Sequence, residues 1–121
     1  MSAQLLIVDD STSMRQMVAF ALSSGGYNVS EAEDGQAALD IAKTRRFDAV
    51  VTDVNMPRMD GIELIRNLRQ LPDYRFTPLL MLTTESGPEK KQEGRAAGAT
   101  GWLVKPFDPE QLLATVRKVL G

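Results

Sequence analysis

The chain contains no cysteine and no histidine in 121 residues. The first absence excludes disulfides, thiol nucleophiles and thiolate metal sites, and the second removes imidazole as metal ligand, general base or phosphate carrier. Any metal must then be held by oxygen. No apolar run approaches the roughly 20 residues that cross a bilayer, and the N-terminus lacks the basic start and long apolar stretch of a signal peptide. A cytoplasmic location without membrane insertion is expected. Basic patches are missing too: no run exceeds Arg45-Arg46 or Lys90-Lys91, and the formal net charge is −2. Such a surface offers no electrostatic footprint for nucleic acid.

What is present is an ordinary globular composition, 43% apolar and 25% charged, at a length suited to one domain over residues 1–121. Five short β-like runs alternate with five helix-like segments, the pattern of βα units that build a doubly wound parallel α/β sheet. The expected strands are Gln4 to Val8, Tyr27 to Ala32, Ala49 to Thr52, Leu79 to Leu82 and Gly101 to Val104. The first helix carries Met14, Met17, Val18 and Leu22 at three-to-four spacing and stops at Gly25-Gly26; the second runs from the Asp34-Gly35 turn through Thr44, with Leu39, Ile41 and Ala42 apolar. The third spans Ile62 to about Gln70, with Pro72 ending it. The fourth, about Pro88 to Ala97, lacks large apolar residues and contains Gly94, which costs ~1 kcal/mol against alanine, so it is expected to be exposed and loosely held. The last opens with Asp108 as N-cap, Pro109 in the first turn and Gln111 at the capping-box position.

Right-handed crossovers point all five strands the same way, and ligands of open α/β sheets bind at the shared C-terminal edge. The polar strand ends therefore converge: Asp9 and Asp10 after the first strand, Asp53 after the third, Thr83 after the fourth and Lys105 after the fifth. Each alone has a bland reading, as a solvated turn residue, a surface lysine or a β-favouring threonine. Together they change the balance, because carboxylates about 4 Å apart at an effective dielectric near 20 repel by about 4 kcal/mol per pair unless a cation neutralises them. An oxygen-ligated Mg²⁺ suits the site, with Asp10 and Asp53 as ligands. Asn55 offers either its backbone carbonyl as a further ligand or an Asx-type hydrogen bond that holds the turn.

Asp53 is ionised at neutral pH and needs no base to attack a phosphoryl group. Lys105 would supply positive charge to the transferring group, and the Thr83 hydroxyl a hydrogen bond to the phosphate. The Lys105-Pro106 bond is a candidate cis peptide, with trans the default. Trp102 shares a strand face with Val104, opposite Leu103, and reads either as a core aromatic or as a movable indicator beside Thr83.

Asp9-Asp10, the run from Asp53 through Val54-Asn55-Met56-Pro57-Arg58-Met59-Asp60 to Gly61, Thr83 and Lys105-Pro106-Phe107 together resemble the receiver domain of bacterial two-component response regulators along the whole chain. The stand-alone chemotaxis (CheY) type fits best, since the chain starts at Met1 and ends after the last helix without a linker; a receiver detached from a longer protein is the less favoured reading. The resemblance implies a flavodoxin-like (βα)5 fold with strand order 2-1-3-4-5. It also implies phosphorylation of Asp53 by a sensor histidine kinase (CheA-like), Asp9 and Asp10 organising Mg²⁺, Lys105 on the phosphoryl group, and Thr83, Trp102 and Pro106 in the switch. Asn55 and Glu85 resemble the pair that flanks the phosphate in fast-cycling members. The implied output surface is the fourth helix, fifth strand and fifth helix of a monomer, facing a partner such as the flagellar motor switch; Trp102 stands where the best-studied chemotaxis members carry tyrosine. The alternative is a phosphorelay intermediate or phosphate sink exchanging phosphate with a histidine phosphotransfer protein. A phosphatase of the haloacid-dehalogenase kind is disfavoured, because Asp9 and Asp10 are adjacent and the candidate nucleophile lies on the third strand.

Overall fold

The computed structural model describes residues 3–121. Its elements run β1 (Gln4–Val8), α1 (Thr12–Ser24), β2 (Asn28–Ala32), α2 (Gly35–Thr44), β3 (Ala49–Thr52), α3 (Gly61–Arg69), a 3-10 turn (Pro72–Tyr74), β4 (Leu79–Thr83), α4 (Pro88–Ala97), β5 (Gly101–Val104) and α5 (Pro109–Leu120). All four strand pairings are parallel and the order is β2-β1-β3-β4-β5, as the resemblance implies.

The period-two alternation of the strands sends their side chains into two separate cores. Leu6, Val8, Val50 and Met81 pack with Ile62, Ile65 and Leu68 of α3 on one face. Leu5, Ile7, Val51, Leu80 and Leu82 pack with Val18 and Leu22 of α1 and Leu112 and Val116 of α5 on the other. Because both faces are covered there, the central strands β1, β3 and β4 read as nearly continuous apolar runs, unlike the edge strand β2. No helix is long and apolar enough to cross a membrane among the described residues.

Several local expectations are corrected. β2 begins at Asn28, one residue late, because the Tyr27 amide donates back to Leu22 of α1 at 3.4 Å. Met17 points to solvent; the stripe that α1 buries is Val18, Ala21 and Leu22 with Met14 at its margin. α5 has no capping box, since the Asp108 carboxylate accepts from the Glu110 amide at 3.0 Å and Gln111 is exposed. Thr83 belongs to β4 and is fully buried, where the strand was expected to end at Leu82.

α4 is exposed along its charged face but anchored by its small residues. Gly94 and Ala97 are buried, and a Cβ on Gly94 would lie 2.6 Å from the Trp102 ring. The glycine that weakens the helix by intrinsic propensity is the one that lets the indole lie against it. Arg69 ties the far end of α4 to α3 by donating to the Gly98 carbonyl at 3.0 and 2.7 Å, while reaching the Tyr74 and Thr77 carbonyls at 2.7 Å.

The N-cap of α2, Asp34, is buried and accepts from the Ala37 amide at 2.8 Å. That hydrogen bond first, against the opposing effect of burial and with help from Arg58, holds its carboxyl below the ordinary 3.8. Its stabilising contribution is present above the unfolded value and is lost as pH falls through the lower folded one. Asp34→Asn keeps a competent cap. It is therefore expected to flatten the loss of stability as pH falls below the ordinary carboxylate value of 3.8, read from urea midpoints at each pH.

Candidate functional site

The C-terminal edge of the sheet gathers the strand ends. The Asp53 amide donates to the Val8 carbonyl at 3.0 Å, the Asp9 amide to Ala32 at 3.2 Å and the Lys105 amide to Thr83 at 2.8 Å. The ladder thus fixes the backbone of three of the polar residues before their side chains meet. Carboxylate oxygens of Asp9, Asp10 and Asp53 lie within 4.8 Å of one another. Asp9 is buried and Asp10 is exposed at the mouth.

The Lys105 ammonium crosses this group, donating to Asp9 Oδ2 at 2.8 Å and Asp53 Oδ2 at 3.0 Å. All three side chains are shielded from solvent, Lys105 being 8% exposed. Burial alone lowers a lysine pKa, but the hydrogen bonds and charges of Asp9 and Asp53 outweigh it and raise the Lys105 value. Sequence reasoning assigned the neutralisation of these carboxylates to a dication alone, whereas the structure shares it with Lys105. Three carboxylates against one ammonium still leave an uncompensated negative pocket. An all-oxygen donor set of that charge suits a hard cation such as Mg²⁺.

Asp9 and Asp53 are further positioned by local hydrogen bonds. Asp9 Oδ1 accepts from Ser11, and its carbonyl accepts from Arg15 Nη1 at 2.7 Å, an arginine also paired with Glu31 at 3.0 Å. Asp53 Oδ1 accepts from the Val54 amide at 2.6 Å, and its carbonyl accepts from the Thr52 hydroxyl at 2.9 Å. Asn55 is exposed and its side chain makes no hydrogen bond among the described residues, so the Asx-turn reading is set aside.

Thr83 and Trp102 meet through the backbone of one residue, Glu85. The Glu85 amide donates to Thr83 Oγ1 at 3.2 Å, and the Trp102 indole donates to the Glu85 carbonyl at 2.8 Å. Trp102 is half-buried against the α3–α4 core and is neither a plain core aromatic nor free at the surface. The Lys105-Pro106 peptide bond is cis. Arg15 and Arg58 are polar residues to which the sequence assigned no role; Arg58 lies within the run from Asp53 to Gly61, but long-range pairings to Glu31 and Asp34 define what each does.

Comparisons with known proteins agree with this geometry. Residues 5–117 match the family model described as the response regulator receiver domain. Chemotaxis response regulator CheY4 of Vibrio cholerae is 56% identical over 98% of this chain and 99% of its own, with a TM-score of 0.93. The receiver domain of a sensor histidine kinase from Pseudomonas aeruginosa PAO1, whose structure has a magnesium ion coordinated in the active site cleft, is 27% identical over 100% of this chain and 99% of its own, with a TM-score of 0.93. Response regulator MprA of Mycolicibacterium vanbaalenii is 43% identical over 120 residues, and the chain spans about half, 51%, of that relative's length. A match over nearly the whole sheet and all its helices leaves one assignment: the chain belongs to the response regulator receiver domain family of two-component signalling.

Proposed function

We propose that Asp53 is the phosphoacceptor of a switch that serves chemotaxis. The observation that carries this reading is the Lys105 ammonium held 2.8 Å from Asp9 and 3.0 Å from Asp53, at the meeting point of three strand ends. Asp53 presents a carboxylate oxygen for in-line attack on the phosphorus of a kinase phosphohistidine. As the new P–O bond forms the P–N bond breaks, and the kinase imidazole leaves with the bonding electron pair. Lys105 turns from Asp9 and Asp53 toward the phosphoryl oxygens as their charge grows, and the buried Thr83 hydroxyl, which accepts from the Glu85 amide, donates its own O–H to the phosphate. Asp9, Asp10, Asp53 and the Asn55 backbone carbonyl would hold Mg²⁺, which when bound supplies further charge to those oxygens. Asn55 and Glu85, at the pocket's rim, set the lifetime of the phosphate.

The likeness to the chemotaxis response regulator CheY4, at 56% identity, supports the chemotaxis assignment. The phosphodonor is then a CheA-like kinase. The output partner, a flagellar motor switch component, would meet the α4-β5-α5 face of a cytoplasmic monomer, with Pro106 and Trp102 at its edge. The protein is a signalling receiver that assists its own aspartyl phosphorylation and does not turn over an external substrate.

Incubation with acetyl phosphate and Mg²⁺ is expected to add one phosphoryl group, located by mass spectrometry of peptides at Asp53 and lost on chelation. A phosphoryl group on any other residue overturns the site assignment. Binding of the phosphorylated form to a motor-switch peptide supports the chemotaxis reading, and rapid onward transfer to a histidine phosphotransfer protein in its place supports the phosphorelay alternative.

A further inference from the structure

Arg58 is the one residue other than glycine with positive φ among the described residues, at 69°. Left-handed backbone is unfavourable for a side chain with Cβ and ordinarily falls to glycine, asparagine or aspartate. The Met59 amide donates to the Pro57 carbonyl at 2.8 Å, so Arg58 is the centre of a three-residue γ-turn of the rarer, more strained hand. Strain of this kind persists only where the surroundings over-determine it, and it gathers at functional sites.

The determinants are two. Arg58 Nε donates to Asp34 Oδ2 at 2.9 Å, and Nη2 lies 2.8 Å from Oδ2 and 3.1 Å from Oδ1, a two-nitrogen fork on a carboxylate that is 4% exposed and is itself fixed as the cap of α2. Gly35, the next residue, packs flat on the Met59 backbone, where any Cβ would overlap the Met59 carbonyl. The turn so held lies in the connection that begins at Asp53, passes through Asn55 and closes where the Gly61 amide donates to the Val54 carbonyl at 2.8 Å. The Arg58 side chain is 59% exposed, too open for burial to explain the strained backbone.

We infer that Arg58 is a positioning residue for the Asp53 site: its fork on Asp34 pins the strained turn that sets the placement of Asn55 and the Asp53 backbone. This deepens the reading of Asp53 as phosphoacceptor and rests on it. Neither lysine nor glycine replaces the fork. Lysine is a single point charge, and glycine relieves the φ penalty while removing the side chain.

The test compares wild type with Arg58→Lys, Arg58→Gly, Asp34→Asn and the Arg58→Gly/Asp34→Asn pair. Mg²⁺ affinity is read from Trp102 fluorescence, phosphoryl half-life after acetyl phosphate, and amide hydrogen exchange across residues 54–61. Each single variant is expected to speed exchange in that segment and to weaken Mg²⁺ binding about tenfold, the size usual for residues that orient ligands. The double variant is expected to be no worse than either single one, because both remove the same contact. Arg58→Gly binding Mg²⁺ and exchanging like wild type, or additive effects in the pair, overturns the inference. Should wild type itself take no phosphoryl group, the phosphoacceptor reading fails separately, while hydrogen exchange still decides whether the fork pins the turn.

Discussion

Replacing Lys105 by alanine is expected to slow phosphoryl uptake by Asp53 about a hundredfold or more, and in the absence of Mg²⁺ to lower stability by about 2–4 kcal/mol. Both effects come from one ammonium. Its removal leaves Asp9 and Asp53, 5% and 12% exposed, with no cation between them. Breaking a buried pair from one side leaves an uncompensated charge, which is costlier than never having built the pair. Kinetically, the same ammonium is a fixed positive charge waiting where negative charge develops, and losing one such group typically costs about two to three orders of magnitude in rate.

The two effects separate in Mg²⁺. Lys105 and a dication compete for the same carboxylates, so the alanine variant should bind Mg²⁺ more tightly than wild type and recover much of its lost stability as Mg²⁺ is added. Phosphoryl uptake should not recover. Lys105→Met, which keeps the stem's apolar contact, should behave as alanine does in rate. Melting curves in chelator and in excess Mg²⁺, with initial rates of acetyl phosphate incorporation, check all three statements. Equal melting temperatures in chelator for variant and wild type would show that the ammonium contributes little to holding the pocket.

The architecture was legible because each element carries its own signal. The strand ends are polar, α2 and α5 begin after Asp34 and Asp108, and the parallel crossovers allow only one edge for the site. What escaped the sequence depends on distance along the chain. Lys105 and Asp9 are separated by 96 positions, so a convergence was inferable and a direct ion pair was not. That pair changes the argument for a cation, since part of the repulsion it was meant to relieve is already relieved.

Gly94 and Arg58 show the two ways a local rule is overridden. Propensity marks Gly94 as a weakness in α4, yet its missing side chain is the seat of the Trp102 ring, whose indole then reaches Glu85. Propensity also gives no reason to expect positive φ at arginine, and only the buried Asp34 carboxylate makes it intelligible. Met17 fails differently. Three-to-four spacing admits it to the buried stripe of α1, but the face that meets the sheet and α5 is that of Val18, Ala21 and Leu22, and Met17 lies outside it.

Gly61→Ala is the small change expected to do the most structural damage near Asp53. Gly61 opens α3 directly over the Asp53 peptide, and a Cβ there would overlap the Asp53 carbonyl oxygen and lie 2.8 Å from its carbonyl carbon and 3.1 Å from Val54 Cα. Every one of these neighbours is backbone, so no rotamer change relieves the clash. Asp53 cannot retreat, because its amide is bonded to Val8 and its carbonyl to the Thr52 hydroxyl. α3 must therefore back away, stretching the Gly61–Val54 hydrogen bond and loosening Ile62, Leu64, Ile65 and Leu68, all buried. Overpacking costs typically about 1–3 kcal/mol and a lost hydrogen bond about 1 more, so a loss of about 2–4 kcal/mol is expected. At this chain length that corresponds to a fall of roughly 10 °C in Tm. Gly87→Ala is the control without a clash: nothing lies within 4 Å of its Cβ and its φ of −66° suits any residue, so only the poorer N-cap of α4 is felt, at about 1 kcal/mol or less. If calorimetry gives the two variants the same Tm, α3 does not hold the Asp53 peptide in the way described. If Gly61→Ala melts early yet takes up phosphate at the wild-type rate where it is still folded, the packing is structural and the phosphoacceptor's geometry is set from β3 alone.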